Sequence, residues 1–309
     1  MTGEGAAADA GLLELVPNFS VGRDPAVVDA LVAAALGAGA RVLDRTSDAD
    51  HNRSVLTLAG PGARVADAAV ALAQVARARI DLRVHRGVHR RMGAMDVCPF
   101  VPLGATPMAA AIATAHAVGR RLGDELELPV FFYGAAATRA ERRVLGAVRN
   151  LGFEALGDLV ARDPAFVPDC GPARLHPSAG AVAVGARPFL LAFNVDLTNA
   201  DVALARRIAA AVRERDGGLP RVQAMGFLLE ARGCAQVSTN ILDHEVTSLR
   251  TLFDRIAELA ASAGAGVARG ELIGLAPAAA LDATTAAHIR LADFDPARHT
   301  VEGRLAAAR

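Results

Sequence analysis

Short apolar runs and longer amphipathic stretches alternate along this chain. Apolar runs bounded by turn residues read as strands, and windows with a 3.6-residue period read as helices. GLLELV (11–16) reads as a strand. Asp24 and Pro25 then open a helix, the aspartate as N-cap and the proline in the first turn. Its body, AVVDALVAAALG, ends at a glycine. RVLD (41–44) and SVLTLAG (54–60) read as strands, followed by a long amphipathic helix over about 62–81. MDVCPFVP (95–102) is a strand, Thr106-Pro107 caps a helix running to about 125, and PVFFYG (129–134) is a strand. The order is β-α-β-β-α-β, the split ferredoxin-like arrangement, with an extra helix and strand.

The second half repeats the scheme. FLLAFNVDL (189–197) reads as a strand, Asn199 to Arg215 as a helix, and GGLP (217–220) as a turn. VQAMGFLLE (222–230) and CAQVSTNIL (234–242) are strands joined by Ala231-Arg232-Gly233, a hairpin signal. A helix follows from Thr247 to about Ala263, then a strand at GVARGELIGL (266–275). APAAALDATTAAHI (276–289) begins a last helix. The expected fold is therefore α+β: two ferredoxin-like subdomains, 1–189 and 190–309, packed with a cleft between them. The Pro- and Gly-rich piece at about 164–188 reads as an ordered loop at the junction. Clefts between domains are favoured ligand sites.

Composition narrows the chemistry. The 309 residues suit two domains, and a hydrophobic content of 52% is ample for two cores. Zero net charge gives no case for a nucleic-acid surface. The start, MTGEGAAADAGLLELVP, lacks the basic and apolar regions of a signal peptide. No apolar run is long enough to predict a membrane span. Cys98, Cys170 and Cys234 are odd in number and far apart, which fits a reducing cytoplasm. All 33 basic side chains are arginine. Without lysine, Schiff-base chemistry, including that of pyridoxal phosphate, and a P-loop are both excluded.

Four stretches carry candidate chemistry. RVHRGVHRRMGAMDVCPFVP (83–102) holds His85 and His89 four residues apart among Arg83, Arg86, Arg90 and Arg91. Glycine between the histidines and crowded positive charge disfavour a metal. Arginine forks suit carboxylates, and a neutral histidine beside a bound carboxylate can take a proton near pH 7. SDADHNRS (47–54) joins two predicted strands. By itself it is a polar hairpin loop, and it lacks the later Gly and Glu of a calcium loop. PDCGPARLHPSAGAVAVGARPF (168–189) is the third, with Arg174 and His176 as its polar features; such loops often carry binding residues. VPNFSVGR (16–23) ends a strand at Asn18 and leads to a helix N-terminus, whose amides suit an anion or a carbonyl oxygen.

Together these stretches resemble the glutamate formiminotransferase family, the transferase part of formiminotransferase-cyclodeaminase. The likeness runs from about Leu13 to Leu281. It rests on VPNFSVGRDPAVVDAL, LDRTSDADHNRSVLTLAGP, IDLRVHRGVHRRMGAMDVCPFVPL, VFFYGAAATRAERR, PDCGPARLHPSAGAVAVGARPFLLAFNVDL, AQVSTNILD and ELIGLAP, in the family's order. The resemblance implies that the formimino group moves between N-formimino-L-glutamate and tetrahydrofolate, the co-substrate, in histidine breakdown. Members are typically dimeric, so a homodimer is expected; the transfer itself needs no metal, and the chain ends where the transferase ends, so no cyclodeaminase domain is expected. The family's catalytic histidine matches His89, and its folate-contacting segment matches Gly171, Pro172, Ala173, Arg174, Leu175, His176, Pro177, Ser178, Ala179 and Gly180.

The resemblance thus makes His89 the proton carrier, a role that one histidine can fill in both directions of the transfer. His85 and Asp96 are candidates to orient it, Asp96 equally as a carboxylate that satisfies a helix or loop, and Asn18, Asn52, Arg53 and Arg91 are candidates for substrate binding. The chain departs from the family pattern at Val21 and Ala135, where glutamate is usual. It departs again at Arg90, where proline is usual, and at Cys170, where phenylalanine is. A paralogous folate-dependent one-carbon transferase with a different amine partner, and a folate-binding protein without turnover, are the alternative readings.

Overall fold

The computed structural model describes residues 11–49, 51–87, 90–229 and 232–307. The chain falls into two compact units that divide between Arg187 and Pro188.

The first unit begins with an interrupted strand, β1 (Leu12–Leu15) and β2 (Asn18–Phe19). Then come α1 (Pro25–Gly37), β3 (Arg41–Asp48), β4 (Arg53–Pro61), α2 (Gly62–Arg79) and β5 (Met95–Pro102). After these lie α3 (Met108–Leu126), β6 (Val130–Gly134), α4 (Gly146–Arg149), α5 (Gly152–Arg162) and β7 (Val182–Ala186). Both pieces of the interrupted strand pair antiparallel with β4 on one side and β5 on the other. β3 flanks β4. On the far side β7 runs parallel to β5, and β6 runs parallel to β7. The sheet therefore reads β3-β4-β1/β2-β5-β7-β6.

Strand alternation sorts the apolar residues onto two faces. Leu13, Leu15, Phe19, Leu56, Leu58, Cys98 and Phe100 pack with Leu31, Leu72, Val118 and Leu122 of α1–α3. Val97, Phe131, Tyr133 and Ala183 belong to a separate cluster with Val148, Leu156 and Val160 of α4 and α5.

The second unit is β8 (Leu191–Leu197), α6 (Val202–Val212), β9 (Val222–Leu229), β10 (Cys234–Ile241), α7 (Leu249–Ser262) and β11 (Val267–Ile273). Its antiparallel sheet has the order β11-β8-β10-β9. Leu191, Phe193, Val195 and Val237 face Ile208, Leu252, Phe253 and Ile256 of the helices. Three short helices follow, α8 (Ala283–His288), α9 (Pro296–His299) and α10 (Val301–Ala307).

Several boundaries differ from the sequence reading. The Asp24 cap is present, accepting from the Ala26 and Val27 amides. Thr106 does not cap α3: the helix starts at Met108 behind Pro107, with no side-chain cap. The 164–188 piece is not all loop, since Val182–Ala186 forms β7 in the middle of the sheet. The helix expected from residue 276 starts at Ala283, because Asp282 is its N-cap. Ala231, part of the expected hairpin turn, lies outside the described residues.

Candidate active site

A small cavity in the first unit is lined by Ser20, His51, Asn52, Arg53, His85, Arg90, Arg91 and Asp96. Four sequence segments meet there: the end of β2, the β3–β4 turn, the loop after α2, and the start of β5.

Asn52 fastens three of them. It takes a left-handed backbone, φ 47°, at the β3–β4 turn, a conformation that asparagine tolerates better than most side chains. Its Oδ1 accepts from Gly22 N at 2.9 Å, and its Nδ2 donates to the Arg86 carbonyl at 3.0 Å. Its own carbonyl lies 2.9 Å from His85 Nε2. Gly87 is required at this junction, since a Cβ there would overlap the His51 carbonyl.

His85 is 8% exposed. Burial depresses its pKa below the ordinary histidine value, and Arg91, Arg23 and Arg86 push the same way against the bond to Asn52. His89 and Asp50 lie outside the described residues.

Asp96, 2% exposed, is fully engaged. Its Oδ1 accepts from the Met92 and Gly93 amides, and its Oδ2 pairs with Arg149 Nε at 2.7 Å. Arg53 is held down to about 10, first by burial and then by the Arg149 charge; Asp96 and Asp48 act in opposition. Arg91 Nη2 donates to the Leu82 carbonyl and to Glu154 Oε1, while its Nε is enclosed without a hydrogen-bond partner. Arg90 reaches the Asn150 carbonyl at 2.6 Å. Asn18 is not among the cavity's lining residues; its amide donates to the Val16 carbonyl.

The 171–180 segment is joined directly to this loop. Leu82 N donates to Ser178 O at 2.8 Å, Ala94 N to Ala179 O at 2.8 Å, and Ala181 N to Met92 O at 3.0 Å. Gly93 and Gly180 sit opposite each other in an isolated bridge, and a Cβ on either would overlap the facing backbone. His176 closes a tight turn: its Nδ1 accepts from Ala179 N at 3.0 Å, which leaves Nε2 as the protonated ring nitrogen. Arg174 is exposed, as are Gly171, Ala173 and Pro177; Pro172, Leu175, His176 and Ser178 are half-buried, and Ala179 and Gly180 are buried. The start of the segment is anchored by Asp169, whose carboxylate accepts from Phe132 N and pairs with buried Arg142 at 2.7 Å.

The departures from the family pattern have distinct settings. Val21 is 7% exposed and belongs to the main core. Ala135 is exposed. Cys170 packs half-buried against the core.

The fold thus gathers Asn52, Arg53, His85, Arg91 and Asp96 at one cavity. Ser20, which donates to the Gly93 carbonyl at 2.8 Å, and Arg149 were not singled out from the sequence. Arg149 carries no local signal: it lies on a one-turn helix, 53 residues from its partner.

Comparison with known proteins agrees along the chain. Residues 12–187 match the N-terminal subdomain of the formiminotransferase domain, and residues 192–294 match the formiminotransferase domain. A glutamate formimidoyltransferase of Streptococcus pyogenes serotype M1 is 41% identical over 95% of this chain and 98% of its own length. One from Thermoplasma acidophilum is 37% identical over 92% of this chain and 94% of its own. The formimidoyltransferase-cyclodeaminase of Rattus norvegicus is 41% identical over 87% of this chain, which spans 51% of that longer protein.

Proposed function

This chain belongs to the formiminotransferase family, and from that premise we propose that it moves a formimino group between N-formimino-L-glutamate and tetrahydrofolate, as a step of histidine breakdown. The observation that carries the reading is the backbone joint between Leu82, Met92 and Ala94 and residues Ser178–Ala181. It brings the segment the resemblance assigns to folate beside the loop it assigns to proton transfer.

The 171–180 donor set suits an anionic folate. It offers the exposed Arg174 guanidinium and the His176 Nε2–H to carboxylate or carbonyl oxygens. Folate supplies the acceptor amine when bound. His89 takes the proton which that amine sheds and returns it to the departing glutamate nitrogen; general acid–base catalysis of this kind contributes roughly 10²–10⁴-fold. His85 and Asp96 hold the backbone of the loop that carries it, through the Asn52 carbonyl and the Met92 and Gly93 amides. Arg53 and Arg91 bind the carboxylates of the glutamate, Arg91 through its enclosed Nε. Asn52 holds the loop against the β3–β4 turn, and Asn18 lies on the adjoining strand. The enzyme so described is a homodimer, as the resemblance implies, in the reducing cytoplasm that its cysteines suit, and no described helix is long and apolar enough to cross a membrane.

Purified protein mixed with tetrahydrofolate and formiminoglutamate should give the absorbance of formimino-tetrahydrofolate. No product from the wild-type protein removes the proposal, and calorimetric folate binding without product would identify a binding protein instead. His89→Ala should keep folate affinity and lose turnover by roughly 10²–10⁴-fold. Arg53→Ala should raise the KM for formiminoglutamate by roughly tenfold or more, the worth of one charge-assisted hydrogen bond.

A further inference from the structure

The one polar atom of the His85 ring that the described residues leave unsatisfied is Nδ1. It is buried and has no hydrogen-bond partner. The tautomer follows from the other nitrogen. Nε2 faces the Asn52 carbonyl, which can only accept, so Nε2 carries the hydrogen and Nδ1 presents a lone pair. A buried acceptor left unmade carries its full desolvation cost, and a ligand N–H there would relieve it. The ring lines the cavity together with Arg53, Arg90 and Arg91, whose side chains donate and never accept. Burial and the Arg91, Arg23 and Arg86 charges keep the imidazole neutral at neutral pH, so the lone pair stays available. Ring and tautomer are fixed before any ligand arrives, because Asn52 is itself clamped to Gly22 and Arg86.

We infer that His85 Nδ1 accepts a hydrogen bond from the terminal N–H of the substrate's formimino group, and so selects an amidine over the isosteric N-formyl amide. The inference rests on the proposed formiminotransferase reading and assigns His85 a role of its own within it. An amidine places an N–H where the formyl analogue places an oxygen. Against Nδ1 the first makes a hydrogen bond and the second sets two lone pairs face to face. A site built around a buried acceptor discriminates strongly against a ligand that cannot donate to it.

Two histidine replacements separate this role from that of a strut. Gln at 85 can keep an N–H on the Asn52 carbonyl and loses the acceptor at the Nδ1 position. Asn at 85 keeps an acceptor near Nδ1 and loses the reach to Asn52. The measurements are kcat/KM for formiminoglutamate with tetrahydrofolate, the inhibition constant of N-formylglutamate in the same assay, and the melting temperature. In the wild type, N-formylglutamate should bind roughly ten- to a hundredfold more weakly than formiminoglutamate. His85→Gln should lower kcat/KM by a similar factor with N-formylglutamate inhibition unchanged or tighter. His85→Asn should retain more activity than His85→Gln at a lower melting temperature.

Equal binding of the two ligands by the wild type overturns the inference without any variant. So does a fully active His85→Gln, or a His85→Asn that is the worse enzyme of the two. Wild-type protein that makes no formimino-tetrahydrofolate fails the functional reading itself, a result distinct from active protein with no amidine preference.

Discussion

Asp96 admits two readings from the sequence, a carboxylate that orients His89 and one that satisfies its own loop. The sequence marks it as a carboxylate near two histidines. In the fold it holds the Met92 and Gly93 amides and the Arg149 guanidinium, so it sets the exit of the loop from inside the sheet. Asp96→Ala removes the carboxylate that pairs with Arg149 and accepts from the Met92 and Gly93 amides. Breaking a buried ion pair costs about 3–5 kcal/mol, so the urea midpoint should fall markedly; an unchanged midpoint would mean that Arg149 finds another partner.

His85 and His176 set a pH dependence of their own. Burial depresses both pKa values, with Arg91, Arg23 and Arg86 adding to it at His85 and Arg77 at His176. The unfolded chain therefore binds more protons than the folded one in the window that opens below an ordinary histidine value of about 6.5. Stability contributed by these two groups is present above that pH and is lost as the pH falls through their folded values. Melting temperature should drop on acidification below about pH 6.5, and less steeply in His176→Gln. Equal slopes would remove His176 from this account.

Glycines carry the join between segments at the scale of elements. Gly93 and Gly180 let two backbones meet with no side chain between them. Gly93→Ala forces the Ala181 carbonyl away, and overpacking of this kind costs about 1–3 kcal/mol. The variant should lose folate affinity more than its melting temperature suggests, since the 171–180 segment moves with that carbonyl. Intact folate binding measured by calorimetry would argue that the joint is only structural.

Element by element, the sequence was most legible where local chemistry decides. Asp24-Pro25 fixed the start of α1, and MDVCPFVP matched β5 residue for residue. β7 was illegible because AVAVGA is a run of small apolar residues inside a Pro/Gly-rich stretch. Only parallel pairing on both sides makes it a strand, as buried parallel strands lack alternation. Helices α4 and α5 were missed too. Their cluster with Val97, Phe131 and Tyr133 is a property of the assembled sheet.

Two units with separate cores define the molecule as a whole. Chains built from more than one domain commonly depart from two-state unfolding. Differential scanning calorimetry should give a van 't Hoff enthalpy below the calorimetric one. Equality of the two would mean that both units melt as one cooperative body. The doubled β-α-β-β-α-β order was readable because each of those strands and helices carries its own apolar pattern, even though the sheets pair strands far apart in sequence, such as β8 with β11. Of the residues around the cavity, the arginine-rich histidine loop stands out in the sequence and the polar turn reads by itself as an ordinary hairpin, while Ser20 and Arg149 matter only through where the fold puts them.

The position of β7 has a consequence for the growing polypeptide. Among the described residues β7 is the only named strand paired with β6, and it stands between β6 and β5 in the sheet. Until the ribosome has released Val182–Ala186, a nascent chain holds β5 with an open edge and β6 without its strand partner, and open edges invite pairing with other chains. Translation intermediates halted before Val182 should need chaperone protection that those extending past Arg187 do not. The last-made strand of the first unit thus completes that half of the protein, and the same short stretch of synthesis brings the 171–180 segment to the histidine loop.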